Sequence, residues 1–360
     1  MDVYQYNISK KFPNEQDFFM RYIEPARASR DTVMHIGTNA IFRRKYVEEV
    51  GLYPTNTITE DMALGLLLQS HGYKSLYINK TLVCGLGVGS YPDLVKQRDR
   101  WCRGNLQILR NYKKTLFRNL KFKQSMIYLD GIFYWLSGLM KMIFILTPII
   151  FLLTGFTIVN LPPKFMFPLF VVAFSMQIIL SKCILPKKIS SHYFNFFMRG
   201  EFYNTIIAPH LAFSVLKHYI LSPLSGLKFN VTRKNFSTQK AHYHLKLALP
   251  HIILLIMGII SIIVGTMKLG KGLYLDSYLI NVFWVLYNIP GLAVALKLAY
   301  QPARNITNEG ISIITNDKIK KIITDKHIKD CINELDYGKL DKLITDITEN
   351  ITPYKSNLIP

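Results

Sequence analysis

Two short stretches of this 360-residue chain carry residue types that could do chemistry. The first is Thr59-Glu60-Asp61, within "GLYPTNTITEDMALGL". A carboxylate held at a helix start beside a cleft can take a proton from an attacking hydroxyl, which makes Asp61 a candidate general base. The same acids also suit the positive end of a helix dipole, and Thr59 is a plausible N-cap. A capped helix with no chemistry explains this motif equally well on its own. The second stretch is Gln97-Arg98-Asp99-Arg100-Trp101, of the form Q-x-x-R-W. An indole face can stack on a sugar ring, and the forked donors of Arg98 and Arg100 suit a diphosphate. Alone, such a basic-aromatic cluster is more often an anchor at a membrane surface.

A third stretch lies far along the chain in "KFNVTRKN", where Phe229, Val231, Thr232 and Lys234 spell F-x-V-T-x-K. A basic loop of this kind could close over a nucleotide, with Lys234 meeting phosphates. Taken singly it is an ordinary hexamer of β-favouring residues with one cation.

Periodicity indicates the elements that must carry these residues. "HIGTNAIFRR" predicts a strand feeding a helix near 43–50, a second helix follows over 61–71, and "YKSLYIN" reads as another strand. Residues 1–122 therefore read as an α/β domain, though one shorter than a complete nucleotide-sugar-binding domain. Beyond them the character changes. Four apolar runs, 139–159, 165–185, 247–267 and 278–299, approach the roughly 20 residues that cross a bilayer. Two further stretches, 126–139 and 199–221, place apolar residues at helical spacing but are interrupted by polar groups, as in helices lying flat on a leaflet.

Charge sets the expected orientation. The chain carries 44 Lys and Arg against 23 Asp and Glu, a balance of +21 that suits lipid headgroups or nucleotide phosphates. Residues 182–246 hold ten Lys and Arg and a single acid, Glu201, whereas the two short connections between spans hold one and two lysines. The long connection and both chain ends are therefore expected on the cytoplasmic side of a plasma membrane. Met1 opens a polar stretch, which reads as the start of a cytoplasmic domain rather than a secretory signal. Cys84, Cys102, Cys183 and Cys331 show no metal-ligand spacing and read as reduced packing residues.

The three motifs in this order, interleaved with spans and interface helices, resemble the processive family 2 glycosyltransferases, nearest to the catalytic subunit of bacterial cellulose synthase. The resemblance covers residues 4–302 and includes "YQYN", "PNEQDFF" and "GTNAIFRR". It implies a partial GT-A domain at 1–122, a membrane domain of about four spans at 123–302 with a gating loop near 228–236, and a cytoplasmic tail at 303–360. It further implies Asp61 as catalytic base, with Glu60 and Thr59 beside it. Trp101 would stack on the acceptor end, and Gln97, Arg98 and Arg100 would lie near the diphosphate of a UDP-sugar. Phe229, Val231, Thr232 and Lys234 would close over the UDP, and the spans would carry the growing polysaccharide out.

The family's D-x-D pair, which holds Mg²⁺ or Mn²⁺, does not occur in this sequence, so the chain is expected to be the C-terminal portion of a synthase, inactive without its donor-binding half. That half and other synthase subunits are expected partners, and nucleic acid is not. Met34-His35-Ile36-Gly37-Thr38 stands where the family has Phe-Phe-Cys-Gly-Ser, which leaves a chitin- or hyaluronan-type polymer open. A non-catalytic scaffold or channel half is the alternative outside enzymes. Arg304, Asn305, Thr307 and Gly310 resemble part of a cyclic-di-GMP (PilZ) signature, although R-x-x-x-R is missing and a solvated tail is the preferred reading.

Overall fold

In a computed structural model the described residues are 18–37, 39–79, 88, 90–156, 163–184, 193–221, 241–270 and 273–302. All of them belong to one compact unit. The motif F-x-V-T-x-K and residues 304–310 lie outside the described residues, as do "YQYN" and most of "PNEQDFF".

The N-terminal part is helical. A π-helical turn, Phe19–Ile23, runs into α1 (Glu24–Ala28), and α2 (Arg44–Glu49) and α3 (Glu60–Ser70) follow. Helix α4 (Tyr91–Asn111) is the long element of this part. Ser90 caps it by accepting the Asp93 N–H, and Pro92 in the first turn costs no hydrogen bond there. Helices α2 and α3 match the expectation closely. The two expected strands do not: 35–37 and 73–79 carry no ladder. A strand exists only through a hydrogen-bonded neighbour, and among the described residues none runs beside these segments. Ile36, Leu76 and Ile78 accordingly remain exposed.

Helix α5 (Phe122–Phe133) continues through a 3₁₀ turn, Tyr134–Leu136, into α6 (Ser137–Thr154). Gly155, in the left-handed region at φ +82°, ends α6 short of the expected 159. The remaining helices are α7 (Pro163–Ile184), α8 (Tyr193–Val215, extended by a π-helical turn Leu216–Leu221), α9 (Leu245–Lys268) and α10 (Leu275–Leu298). Among the described residues three helical segments are long and apolar enough to cross a membrane: Phe122–Thr154, Leu245–Lys268 and Leu275–Leu298. The second expected span falls on α7, whose apolar stretch, Lys164–Leu180, is shorter.

The core forms where these helices meet. Met62, Ala63 and Leu66 of α3 pack on Ile108 and Tyr112 of α4 and on Tyr128 and Ile132 of α5. Ile145, Ile149 and Leu152 of α6 meet Leu254 of α9 and Val285 and Leu292 of α10. Helices α6 and α8 cross at Gly138, where a β-carbon would lie 2.5 Å from Leu211 and 2.9 Å from the Ala212 backbone. Only a residue without a side chain permits that approach. Two short strands, β1 (His242–Tyr243) and β2 (Tyr300–Gln301), pair antiparallel and tie the start of α9 to the end of α10.

Candidate active site

The loop before α3 is stitched to α4. Asn56 accepts the Tyr112 hydroxyl on its side chain at 2.6 Å and the Asn111 amide on its backbone carbonyl at 2.7 Å. The Ile58 N–H donates to Gln107 Oε1 at 3.0 Å, and the Thr57 hydroxyl reaches the Gly104 carbonyl at 3.5 Å. Thr59 stands at the N-cap position but makes no side-chain capping bond, contrary to the sequence expectation. Its side chain is buried against the bare backbone of Gly104, where a β-carbon would lie 2.7 Å from Thr59 Oγ1. Thr59 of the first motif thus meets α4 at Gly104, three residues beyond Trp101.

Beyond that crossing stands Asp61, half-buried in the first turn of α3. Its Oδ1 accepts the Met62 N–H at 2.8 Å, while Oδ2 faces Gly37. Gly37 sits at φ +83°, and a β-carbon there would lie 2.8 Å from Oδ2. Burial pushes the Asp61 carboxyl above the usual carboxylate range; the Met62 N–H opposes this, Glu60 adds to it and Arg100 opposes it. A carboxylate of raised basicity with one oxygen open to a neighbouring loop is a suitable proton acceptor.

Sequence reasoning passes over two residues that join this cluster. His35 shares a hydrogen bond of 3.2 Å with the Tyr53 hydroxyl, and burial lowers its imidazole below the usual histidine value, with Glu60 opposing. Tyr53 in turn is raised by burial and by the charges of Asp61 and Glu60. No spacing rule connects residues 35, 53 and 61; only the fold does.

The arginines of the second motif divide. Arg98 is 3% exposed, donates from Nε to the Tyr203 hydroxyl of α8 at 2.9 Å, and lays its guanidinium 4.5 Å over the Trp101 ring. Arg100 is half-buried and acts electrostatically on Asp61. Gln97 is half-buried. Trp101, also half-buried, meets Trp135 edge to face with centroids 6.4 Å apart. Arg100 therefore acts on Asp61, and Trp101 contacts the Arg98 guanidinium and Trp135 of the turn joining α5 to α6.

Residues 6–180, which contain both motifs, match the family model described as glycosyl transferase family group 2. The chain is also similar to proteins named as cellulose synthases. It is 28% identical over 299 residues to a cellulose synthase catalytic subunit (UDP-forming) of Pseudomonas fluorescens, a match covering 82% of this chain and 39% of that protein. It is 29% identical over 313 residues to cellulose synthase 1 of Komagataeibacter xylinus, covering 84% and 20% of the two chains. Cellulose synthase 2 of Novacetimonas hansenii is 28% identical over 290 residues, covering 79% and 18%. The chain thus spans about two fifths or less of the length of these relatives.

Family 2 enzymes generally employ a divalent cation. Among the described residues no three His, Cys, Asp or Glu side chains converge to hold one. The acids of the family 2 region nearest the site, Glu60 and Asp61, make only an adjacent pair on one helix turn. The described residues therefore do not fit a metal, and no step is assigned to one.

Proposed function

We propose that this chain is the membrane-embedded C-terminal portion of a processive β-glycosyltransferase that moves hexose from a UDP-sugar onto a growing polysaccharide. The observation that carries this reading is the contact of Thr59 with Gly104, one turn beyond Trp101, with Arg100 acting electrostatically on Asp61, inside the matched family 2 region. In this reading 1–122 is the C-terminal part of a GT-A domain, a separate stretch of polypeptide supplies the donor-binding half, and the membrane helices carry the product across.

The chemistry follows from the site. The acceptor hydroxyl attacks the anomeric carbon from the face opposite the diphosphate, and the bond from carbon to the diphosphate oxygen breaks, releasing UDP. The hydroxyl proton passes to Asp61, whose raised basicity suits that task. Arg100 stands where its charge can act on Asp61 or on the leaving diphosphate. Trp101, backed by Arg98 and Trp135, offers an aromatic face for the acceptor sugar on the way to the spans. Lys234 and its neighbours in F-x-V-T-x-K would meet the UDP, and the chain would lie in the plasma membrane with both ends cytoplasmic.

The test is a donor panel. Membranes containing the chain together with the polypeptide that supplies its donor-binding half are given labelled UDP-glucose, UDP-N-acetylglucosamine or UDP-glucuronate, and the product is digested with glycosidases specific for each β-linkage. Incorporation from UDP-glucose into glucanase-sensitive polymer is the expected result. Incorporation from another donor would select a chitin- or hyaluronan-type product, and none from any donor would favour a non-catalytic scaffold.

A further inference from the structure

Helix α4 is fastened to α8 along one side. The Tyr91 hydroxyl donates to the Ile206 carbonyl at 3.1 Å, and Arg98 to the Tyr203 hydroxyl at 2.9 Å. The third contact is a clasp: Asp99 Oδ1 accepts from the Ser214 hydroxyl at 2.7 Å and from His218 Nε2 at 2.9 Å. Ser214 and His218 are 3% and 6% exposed, whereas the Asp99 side chain is 37% exposed, so the clasp is buried on the α8 side. Burial alone would raise the Asp99 carboxyl, but the hydrogen bonds from His218 and Ser214 outweigh it and hold the group below its usual value, with Lys217 adding to the effect. Asp99 is therefore a carboxylate acceptor in both contacts.

Asp99 lies between the two arginines of the motif, and successive helix residues are turned by about 100°. A clasp that holds Asp99 against α8 therefore fixes the direction in which Arg100 leaves the helix, toward Asp61, and the direction of Trp101, toward Trp135. We propose that Asp99, held by Ser214 and His218, is a positioning residue of the transferase site, setting the rotation of α4 on which the placement of Arg100 and Trp101 depends. This rests on the transferase reading above. Position 99 is one of the unspecified positions of Q-x-x-R-W.

The test uses the full chain in lipid nanodiscs with Asp99→Asn, His218→Gln and Asp99→Glu. One readout is hexose transfer from the UDP-sugar with the donor-binding half supplied, resolved into kcat and KM, with the melting temperature of the same samples. The other is acrylamide quenching of Trp101 in a background carrying Trp135→Phe and Trp284→Phe, which requires no turnover. Asp99→Asn and His218→Gln should each lower kcat about tenfold with little change in KM, the signature of a lost transition-state alignment. Both should raise quenching of Trp101. Asp99→Glu keeps the acceptor and should recover most of both. Unchanged kcat and unchanged quenching in folded Asp99→Asn would overturn the proposal. So would a loss of activity that merely tracks a lower melting temperature. If the unaltered chain transfers no hexose, the transferase reading fails by itself and Trp101 quenching alone decides the clasp. If Asp99→Asn does not fold, His218→Gln carries both readouts.

Discussion

Thr59 and Gly104 are in direct contact, the threonine side chain resting on glycine backbone where even a methyl group would overlap it. This single contact sets the distance between the two motifs, because Thr59 begins α3 and Gly104 lies one turn beyond Trp101. Gly104→Ala should therefore push the motifs apart. Overpacking of this kind costs about 1–3 kcal/mol, and hexose transfer should fall more steeply than stability does. Thr59→Ala, which removes the two nearest overlapping atoms, Cγ2 and Oγ1, should restore part of the transfer lost in Gly104→Ala; thermal unfolding and UDP release on the four proteins of that cycle check this.

Asp61→Asn keeps the shape of the side chain and removes its basicity. General-base catalysis contributes about 10²–10⁴-fold, and transfer should fall by that much while UDP-sugar binding persists. The pH profile carries the sign. Burial raises the Asp61 pKa above its usual value of 3.8, so the active carboxylate is lost as pH falls through that raised value. The acidic limb of kcat should lie above the ordinary aspartate range, and a limb at or below that range would contradict the assignment.

Gly37 combines positive φ with close approach to Asp61 Oδ2. Gly37→Ala places a methyl against the carboxylate and forces a left-handed alanine, which costs about 1–2 kcal/mol. Transfer should drop while UDP-sugar affinity is retained, read by kcat and KM together.

Glu24 supports the site from behind. It is 1% exposed, lies 3.5 Å from Arg27, and accepts the Met34 N–H at 3.0 Å, just before His35. Burial raises its carboxyl to about 7 from 4.5, with Arg27 and the Met34 N–H opposing. Because the folded value exceeds the unfolded one, the folded state binds the extra proton between them. Stability should therefore decline as pH rises from about 4.5 to about 7 and level off above. Glu24→Gln should flatten that slope in melting temperature measured from pH 4 to 8. An unchanged slope would count against it.

Lys141 of α6 and Glu201 of α8 form an ion pair at 2.8 Å, with side chains 11% and 25% exposed. Removing one partner leaves a poorly solvated charge, a loss of up to about 3–5 kcal/mol. Lys141→Met should destabilise more than the double variant Lys141→Met with Glu201→Gln, measured by thermal unfolding in nanodiscs.

Much of the architecture is legible in the sequence. The acids of Thr59-Glu60-Asp61 mark the start of α3, and the nearly pure Ile and Leu run at 247–267 marks α9, because helix periodicity and dipole chemistry are local. The segments 35–37 and 73–79 have the composition of strands without the ladder, since β-favouring residues form a strand only beside a partner. Thr59 departs from expectation for a related reason: its type suits a cap, but the crossing at Gly104 takes its side chain. The clasp of Asp99 with His218 spans 119 positions, and the His35–Tyr53 contact joins residues whose spacing follows no rule. Such contacts belong to tertiary structure and leave no pattern in one sequence.

The most direct test of the central claim is incorporation of labelled hexose from a UDP-sugar into β-linked polymer, by membranes carrying either the unaltered chain or Asp61→Asn at equal abundance, each together with the donor-binding half. The account predicts polymer from the former and at least about a hundredfold less from the latter. Equal incorporation by both would show that Asp61 is not the base, and the proposed site would have to be abandoned.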